Sequence, residues 1–474
     1  MDLRNLNSSK WHGNSLAGVS AAAVLVCASC TLQPPGPLPP EVPKQFESRA
    51  VGDPANWPSK DWYRGFGSLE LNALVEQASI ANLDVSAARA RVAQADARAR
   101  QAGAALLPNV DATGNSNFLA GHSVNGSAHE LDWSALLSAS YEIDFWGKNR
   151  ATANAARFLS AASRADRETI MLTTLAGVAE GYFQILSLRE RVDIAQSNVN
   201  AASGLLDVVQ ARFSAGLSNP VELATQRGVL AAAQLMVPDL QQRQQEALTA
   251  LALLAGRSPE GFRVEGMPLE SLTEPRVGPG LPADLLTRRP DIYMAEANLR
   301  AADADVVAAR AALFPTVTLT AAGGIQNPAM QAAVITLSGT GPTLNLGAGL
   351  VQTIFDGGRL RAVRSEARAK DEELIASYRK VILESLGDVE TALTAIHHLD
   401  IARESQLESL TQSQRAFEGA QLRYREGAGD FLAVLEAQRT LHAAQDQFSQ
   451  YKLARLQALV GLCKALGGGW RLEE

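Results

Sequence analysis

Three things are scarce in this chain: cysteine, an excess of positive charge, and long apolar runs. Only 3 of its 474 residues are cysteine. Lysine and arginine total 43 against 50 acidic residues, a formal net charge of −7. Nucleic acid, which needs a clustered basic surface, is therefore not an expected partner. The mean hydropathy is −0.04. Beyond the N-terminus no apolar run reaches the roughly 18 residues of a membrane-crossing helix, which excludes a polytopic helical membrane protein. Aromatics make up only 5%, but 46% of residues are hydrophobic, too many for a wholly disordered chain. Two classes survive: a soluble helix-rich protein, or one that meets lipid through β-strands, to which hydropathy is nearly blind.

The N-terminus reads as a processing signal. Arg4 and Lys10 give a weakly basic start, residues 16–26 are apolar, and Ala28 and Ser29 precede Cys30. Cys27-Ala28-Ser29-Cys30 resembles a bacterial lipobox, in which the last cysteine carries lipid, although Cys27 stands where leucine is usual. The expectation is a lipoprotein signal peptide over 1–29. A Pro-rich tether over 30–61 would then be anchored by a covalent lipid on Cys30, with no other cofactor. Ordinary signal cleavage is the plainer alternative. Cys27 would leave with the signal and Cys30 would take lipid. Cys463 then stays alone, without a disulfide partner, as a small core residue.

The rest of the sequence is one unit written twice. Ala104-Ala105-Leu106-Leu107-Pro108 recurs as Ala311-Ala312-Leu313-Phe314-Pro315, and Phe145-Trp146-Gly147 recurs as Phe355-Asp356-Gly357. Arg212-Phe213-Ser214-Ala215-Gly216 recurs as Arg423-Tyr424-Arg425-Glu426-Gly427. The order is kept with few insertions, so each copy reads helix, proline, two strands, glycine, very long helix, glycine turn, second long helix. The copies span 62–275 and 276–474.

Heptad spacing marks the long helices. Val178, Ile185, Val192, Val199, Leu206 and Phe213 are seven apart in the first copy, and three residues on from each of the first five lie Gly181, Leu188, Ala195, Ala202 and Val209. In the second the series is Ile375, Ile382, Val389, Ile396, Arg403, Leu410, Phe417 and Tyr424, broken only by Arg403. A sustained 3.5-residue repeat means helices that supercoil around neighbours. No proline interrupts 147–213 or 357–424, so each helix reaches roughly 100 Å. A periplasmic coiled-coil scaffold without a pore would explain this much equally well.

The strands break the tie. Leu137, Ala139, Tyr141, Ile143 and Phe145 alternate with Ser138, Ser140, Glu142 and Asp144, and Val110, Ala112 and Phe118 with Asp111, Thr113, Asn115 and Asn117. In the second copy Val317, Leu319 and Ala321 alternate with threonines, while Leu344, Leu346, Ala348 and Leu350 oppose Asn345, Gly347 and Gly349. Such segments of about ten residues, apolar on one side, are the signature of transmembrane β-barrels. Four strands cannot close a barrel in lipid, where unpaired edge groups cost several kcal/mol each. Copies must pool strands, and three copies would give twelve, enough to leave a lumen.

Leu281-Pro282-Ala283-Asp284-Leu285-Leu286-Thr287-Arg288-Arg289-Pro290-Asp291-Ile292, then Ala295-Glu296, resembles the signature of TolC-like outer-membrane efflux proteins. Tyr141 to Lys148 and Leu466-Gly467-Gly468-Gly469-Trp470 resemble their OprM/NodT-like lipoprotein branch. The resemblance runs from about Trp62 to Trp470. It implies an α+β membrane protein: a homotrimer whose twelve-stranded barrel in the outer membrane continues as an α-helical coiled-coil barrel in the periplasm. It also implies a periplasmic membrane-fusion adaptor and an inner-membrane pump of the resistance-nodulation-division class as partners. A type I protein secretion duct shares the architecture and stays open as an alternative. The residues Arg288, Arg289, Pro290 and Asp291 are read as structural: Pro290 suits the first turn of a helix and Asp291 its positive end.

Gly216 and Gly427 end the long helices as expected of left-handed caps, and the two turns should crowd at the periplasmic end. The resemblance places Glu222 and Glu436 on acidic constriction positions and Tyr424 on an aromatic of the closing network. Gly429 and Ala433 stand where the family's best-known member carries charge. Glu222, Tyr424, Asp430 and Glu436 form the expected gate, and a threefold axis would turn each acid into a ring favouring cations. Enzymatic readings fail. The six histidines show no metal-ligand spacing, Gly467-Gly468-Gly469 lacks the lysine of a phosphate loop, and there is no Gly-x-Ser-x-Gly elbow. No catalytic or metal-binding residue is expected, and the energy for transport must come from a partner.

Overall fold

The structure, a computed structural model, describes residues 42–47, 56–123, 126–278, 280–327 and 341–471. Cys30, the expected signal peptide and most of the expected tether lie outside the described residues. Midway along that tether, Phe46 is buried with Leu285, Ile292 and Ile382.

Among the described residues the first two α-helices are α1 (Leu69–Ala81) and α2 (Leu83–Ala104). Leu71, Leu74, Val75 and Ala78 give α1 its buried stripe. Ser68 caps α1 by accepting from the Leu71 N–H, and Asn82 caps α2 by accepting from Asp84 and Val85. Strands β1 (Asn109–Ser123) and β2 (Gly126–Ile143) follow, then α3 (Lys148–Ser214) and α4 (Pro220–Leu254). After a linker the order returns: α5 (Pro290–Ala311), β3 (Thr316–Asn327), β4 (Gly341–Val351), α6 (Arg359–Arg425) and α7 (Phe431–Ala465). The two long helices have 67 residues each and their return helices 35 each. Strand β2 stops at Ile143, short of Phe145, because Asp144 turns to accept from the Asn149 and Arg150 N–H groups and starts α3. Asp356 does the same for α6 through Gly358 and Leu360.

Helix α3 is the spine. Near the sheet it packs against α2 and α5, with α6 beyond α5; farther away it packs against α4 and α7, with α6 beyond α7. One stretch of α3 is apolar enough by composition to cross a bilayer. Here, though, Ala176, Val178, Ala179, Tyr182, Phe183 and Ile185 sit in the main core with Phe66, Leu71, Leu251 and Val460. The heptad seam of α6 is largely kept: Ile382, Val389, Phe417 and Tyr424 are buried and Arg403 is exposed. In α3 the two series of the seam share the burial unequally after Ile185. Leu188, Ala195, Ala202 and Val209 are buried, whereas Val192, Val199 and Leu206 are half-buried and Phe213 is exposed. The cause is that the lower part of α3 serves two neighbours, α4 and α7, so its contact stripe follows the small residues between them.

All four strands form one antiparallel sheet in the order β1-β2-β3-β4. Its register puts the alternating apolar residues on a single face. Val110 pairs with Ala139, which pairs with Ala321, which pairs with Leu346; Tyr141, Leu319 and Ala348 make the next row. Directly paired residues share a face, so the other face carries Asp111, Ser138 and Asn345 in one row and Ser140, Thr320 and Gly347 in another. Among the described residues the outer edges of β1 and β4 have no partner strand.

The 288–291 motif is a fastener. Pro290 occupies the first turn of α5 and Asp291 follows it. The buried Arg289 guanidinium donates to both Asp291 oxygens (3.0 and 2.6 Å), to Asp388 of α6 (3.1 Å) and to the Ala465 carbonyl at the end of α7 (2.9 Å). Burial works against its charge, but Asp291 and then Asp388 outweigh that and hold its pKa above the ordinary guanidinium value. Arg288 lies over the Trp57 ring at 4.5 Å. Gly467 (φ +84°) backs onto the Arg288 carbonyl, where a Cβ would collide.

Candidate functional site

The two hairpin turns meet. Each long helix ends in the same way: the N–H of Leu217 bonds to the Arg212 carbonyl and that of Ala428 to the Arg423 carbonyl, with Gly216 (φ +73°) and Gly427 (φ +78°) left-handed. Between the hairpins Tyr424 is buried with Leu205, Val209, Phe417, Phe431 and Val434. Its hydroxyl donates to a Glu222 oxygen at 3.2 Å, and Ser218 and Asn219 donate to the same carboxylate at 2.6 and 3.1 Å. Arg212 stacks on the Tyr424 ring at 4.8 Å and donates to the Tyr424 carbonyl at 3.1 Å. Burial, then the Glu222 charge, pushes the Tyr424 phenol above its usual pKa. The first hairpin thus grips the second through Arg212, Tyr424 and Glu222.

The other expected gate acids stand apart from this contact. Glu436, one turn inside α7, pairs with Arg439 at 3.1 Å and is solvent-exposed. Asp430 precedes α7 in the capping position, but its side chain makes no capping hydrogen bond. Gly429 has little room for a side chain: a Cβ there would lie 2.9 Å from the Tyr424 nitrogen and 3.0 Å from the Arg423 carbon. Sequence reasoning missed Arg212, Ser218 and Asn219 as members of the site. The repeated motif beginning at Arg212 held the signal for the first, and the Asx cap before Pro220 the signal for the last.

At the opposite end of the long helices the sheet is unusual for a protein in water. Its apolar face is open, with Leu344, Leu346 and Leu350 exposed by 74%, 76% and 69%. A patch of this size marks a surface meant for lipid or another chain. Where strands meet helices, Phe145, Trp146, Phe314, Ile354 and Phe355 are also exposed. Trp146 stacks on Phe314 at 4.7 Å and donates to the Pro315 carbonyl at 2.8 Å, joining the two copies at that level.

An open lipid-type sheet on hairpins of this length has a match among known families. The model of the outer membrane efflux protein family covers residues 74–257 and 281–468. The chain belongs to that family. As an outer-membrane efflux protein it has relatives along nearly its full length. The pyoverdine export outer membrane protein OpmQ of Pseudomonas aeruginosa is 43% identical over 471 residues, covering 97% of this chain and 98% of OpmQ. The cation efflux system protein CusC of Escherichia coli is 27% identical over 451 residues, covering 94% and 97%. Among solved structures, the outer-membrane channel OprN superposes with a TM-score of 0.85 at 28% identity, over 93% of this chain and 100% of that one. The efflux protein therefore works at the outer membrane and reaches into the periplasm, with the TolC-like fold.

Proposed function

We propose that three copies of this chain form the exit duct of a tripartite efflux pump. It would pass small molecules from an inner-membrane pump of the resistance-nodulation-division class, through a periplasmic adaptor, to the outside. The observation that carries this reading is the open four-stranded sheet with one continuous apolar face and, among the described residues, two unpaired edges. In lipid those edges need partner strands. Three copies supply twelve and enclose a lumen lined by the Thr, Ser and Asn face. The aromatic cluster around Trp146 and Phe355 suits the periplasmic membrane boundary.

In this reading residues 1–29 are the signal peptide and 30–61 the tether from a lipidated Cys30. The halves 62–275 and 276–474 each give two strands and a helical hairpin. Gly216 and Gly427 turn the hairpins at the periplasmic mouth, where Glu222, Tyr424, Asp430 and Glu436 form the constriction. The Glu222–Tyr424–Arg212 contact keeps it narrow. The chain moves nothing itself, and cargo is pushed by the pump. OpmQ is named for pyoverdine export, and a bulky small-molecule cargo of that kind fits a duct of this class.

Planar-bilayer recording tests the proposal. The purified protein should give unitary currents with cation preference. Glu222→Ala combined with Glu436→Ala should raise conductance and weaken that preference. Tyr424→Phe alone should raise conductance, whereas Glu436→Ala alone, which breaks only the exposed Arg439 pair, should alter selectivity more than conductance. Absence of unitary current overturns the duct, and currents indifferent to all these changes overturn the gate.

A further inference from the structure

Arg403 interrupts the apolar seam of α6, standing where the heptad has Ile396 before it and Leu410 after it. At its level α6 does not close on its surroundings. A cleft of about 490 Å³ lies there between α6, α7 and the linker that joins the two copies. Leu269 and Leu272 line it from the linker, Leu407 from α6, and Phe448 and Tyr451 from α7. The Phe448 and Tyr451 rings are nearly parallel, 16° apart with centroids separated by 6.4 Å. Leu407, one turn on from Arg403, is 53% exposed. A cleft of this size with largely apolar walls and a few placed charges suits one small molecule.

All the charges that line the cleft have partners except one. Lys452 holds Glu270 at 3.1 Å and Glu190 at 2.6 Å, and Arg455 holds Glu274 at 3.0 Å and Asp400 at 2.9 Å. Both acids of the lining, Glu270 and Glu274, are therefore engaged. Arg403 makes no ion pair among the described residues. It still faces this group of side chains: burial raises the Tyr451 phenol pKa, and the charges of Arg455 and Arg403 work against that rise. A free guanidinium fork matches a carboxylate through two parallel hydrogen bonds, and one free fork calls for one carboxylate. Beside it the two rings and the leucines offer a surface for a flat apolar body. Arg403 and Tyr424 stand on the same helix, about 30 Å apart along its axis, so the cleft is separate from the contact between the hairpin turns.

We propose that this cleft binds an aromatic monocarboxylate, with the carboxylate on Arg403 and the ring against Phe448, Tyr451 and Leu407. The test is calorimetric titration of 2-naphthoate into the full-length protein in lipid nanodiscs, with empty nanodiscs as the blank. Saturable binding is expected. Arg403→Gln changes an exposed side chain and should weaken binding about 10-fold or more, as loss of a hydrogen-bonded charge does. 2-Naphthol, the same rings without the charge, should bind the parent more weakly by a similar factor. Leu407→Ser, which removes part of the apolar wall, should weaken 2-naphthoate as well. Because a ligand of the folded form raises its stability, 2-naphthoate should raise the melting midpoint of the parent and shift that of Arg403→Gln much less at the same concentration. Neither readout uses current, so the outcome is independent of the duct. Equal affinity of parent and Arg403→Gln, or of 2-naphthoate and 2-naphthol, overturns the proposal. Absence of saturable binding overturns it too, by giving the cleft to a neighbouring copy or a partner protein that covers it.

Discussion

Replacing Arg289 by methionine keeps the apolar stem and removes the guanidinium. Four hydrogen bonds go with it: two to Asp291, one to Asp388 and one to the Ala465 carbonyl. They are not equal. Asp388 is 56% exposed and can take water in place of the lost donor, whereas Asp291 is only 23% exposed. The cost is therefore dominated by Asp291 and by the Ala465 carbonyl. Breaking a buried charge pair by removing one partner typically costs about 3–5 kcal/mol. A 1 kcal/mol change moves the melting midpoint by about 2–4 °C in a domain of 150–250 residues and by less in a longer chain. At about 1–2 °C per kcal/mol, the melting midpoint in detergent, followed by tryptophan fluorescence, should fall by about 3–10 °C. Arg289→Lys keeps the charge but not the fork and should lie between. Conductance at room temperature should be unchanged in both, since Arg289 is far from the hairpin turns in sequence and joins none of their contacts. A midpoint within about 1 °C of the parent for Arg289→Met would refute the reasoning, because no buried pair of this kind is broken so cheaply.

Burial pushes the Cys463 thiol up to about 12, so iodoacetamide at pH 8 should leave it unmodified in the folded protein and label it fully in guanidinium. Desolvation, with Glu70 close by, raises the Tyr182 phenol to about 12. In alkaline spectrophotometric titration Tyr182→Phe should remove the last tyrosinate step. Because the raised value favours the protonated folded form, Tyr182 adds stability below pH 10 that is lost as pH climbs through 10 to 12. Gly467→Ala forces a Cβ against the Arg288 carbonyl at φ +84° and should lower the melting midpoint more than Gly216→Ala, where nothing stands in the way.

Much of this fold could be read from the residues. Strand alternation from Val110 to Leu350 anticipated one apolar face, because a period of two leaves no freedom about which side a residue occupies. The glycines at 216 and 427 marked both turns. Phe145 misled because an alternating pattern does not show where a chain leaves the sheet; the capping carboxylate of Asp144 decides that. Below Ile185 the α3 seam held in its second series, Leu188 to Val209, and not in its first, since a heptad names the residues that can face a partner but not how many partners there are. The site was harder still. Glu222 and Tyr424 meet across 202 residues of chain, and no local pattern encodes that encounter. Arg212 was visible as a repeated motif, yet its stacking on Tyr424 is a product of how two hairpins lie together. The triple glycine at 467–469 is explained only by what it crosses, backbone at 467 and 469 and the Leu172 side chain at 468.

The bond between Glu222 and Tyr424 lies inside one polypeptide. In an assembly of three, the latches are then separate objects, and nothing in this contact obliges them to release in concert. Current through a single particle would climb a staircase as each copy lets go, and mixing altered with unaltered copies would fix the number of treads.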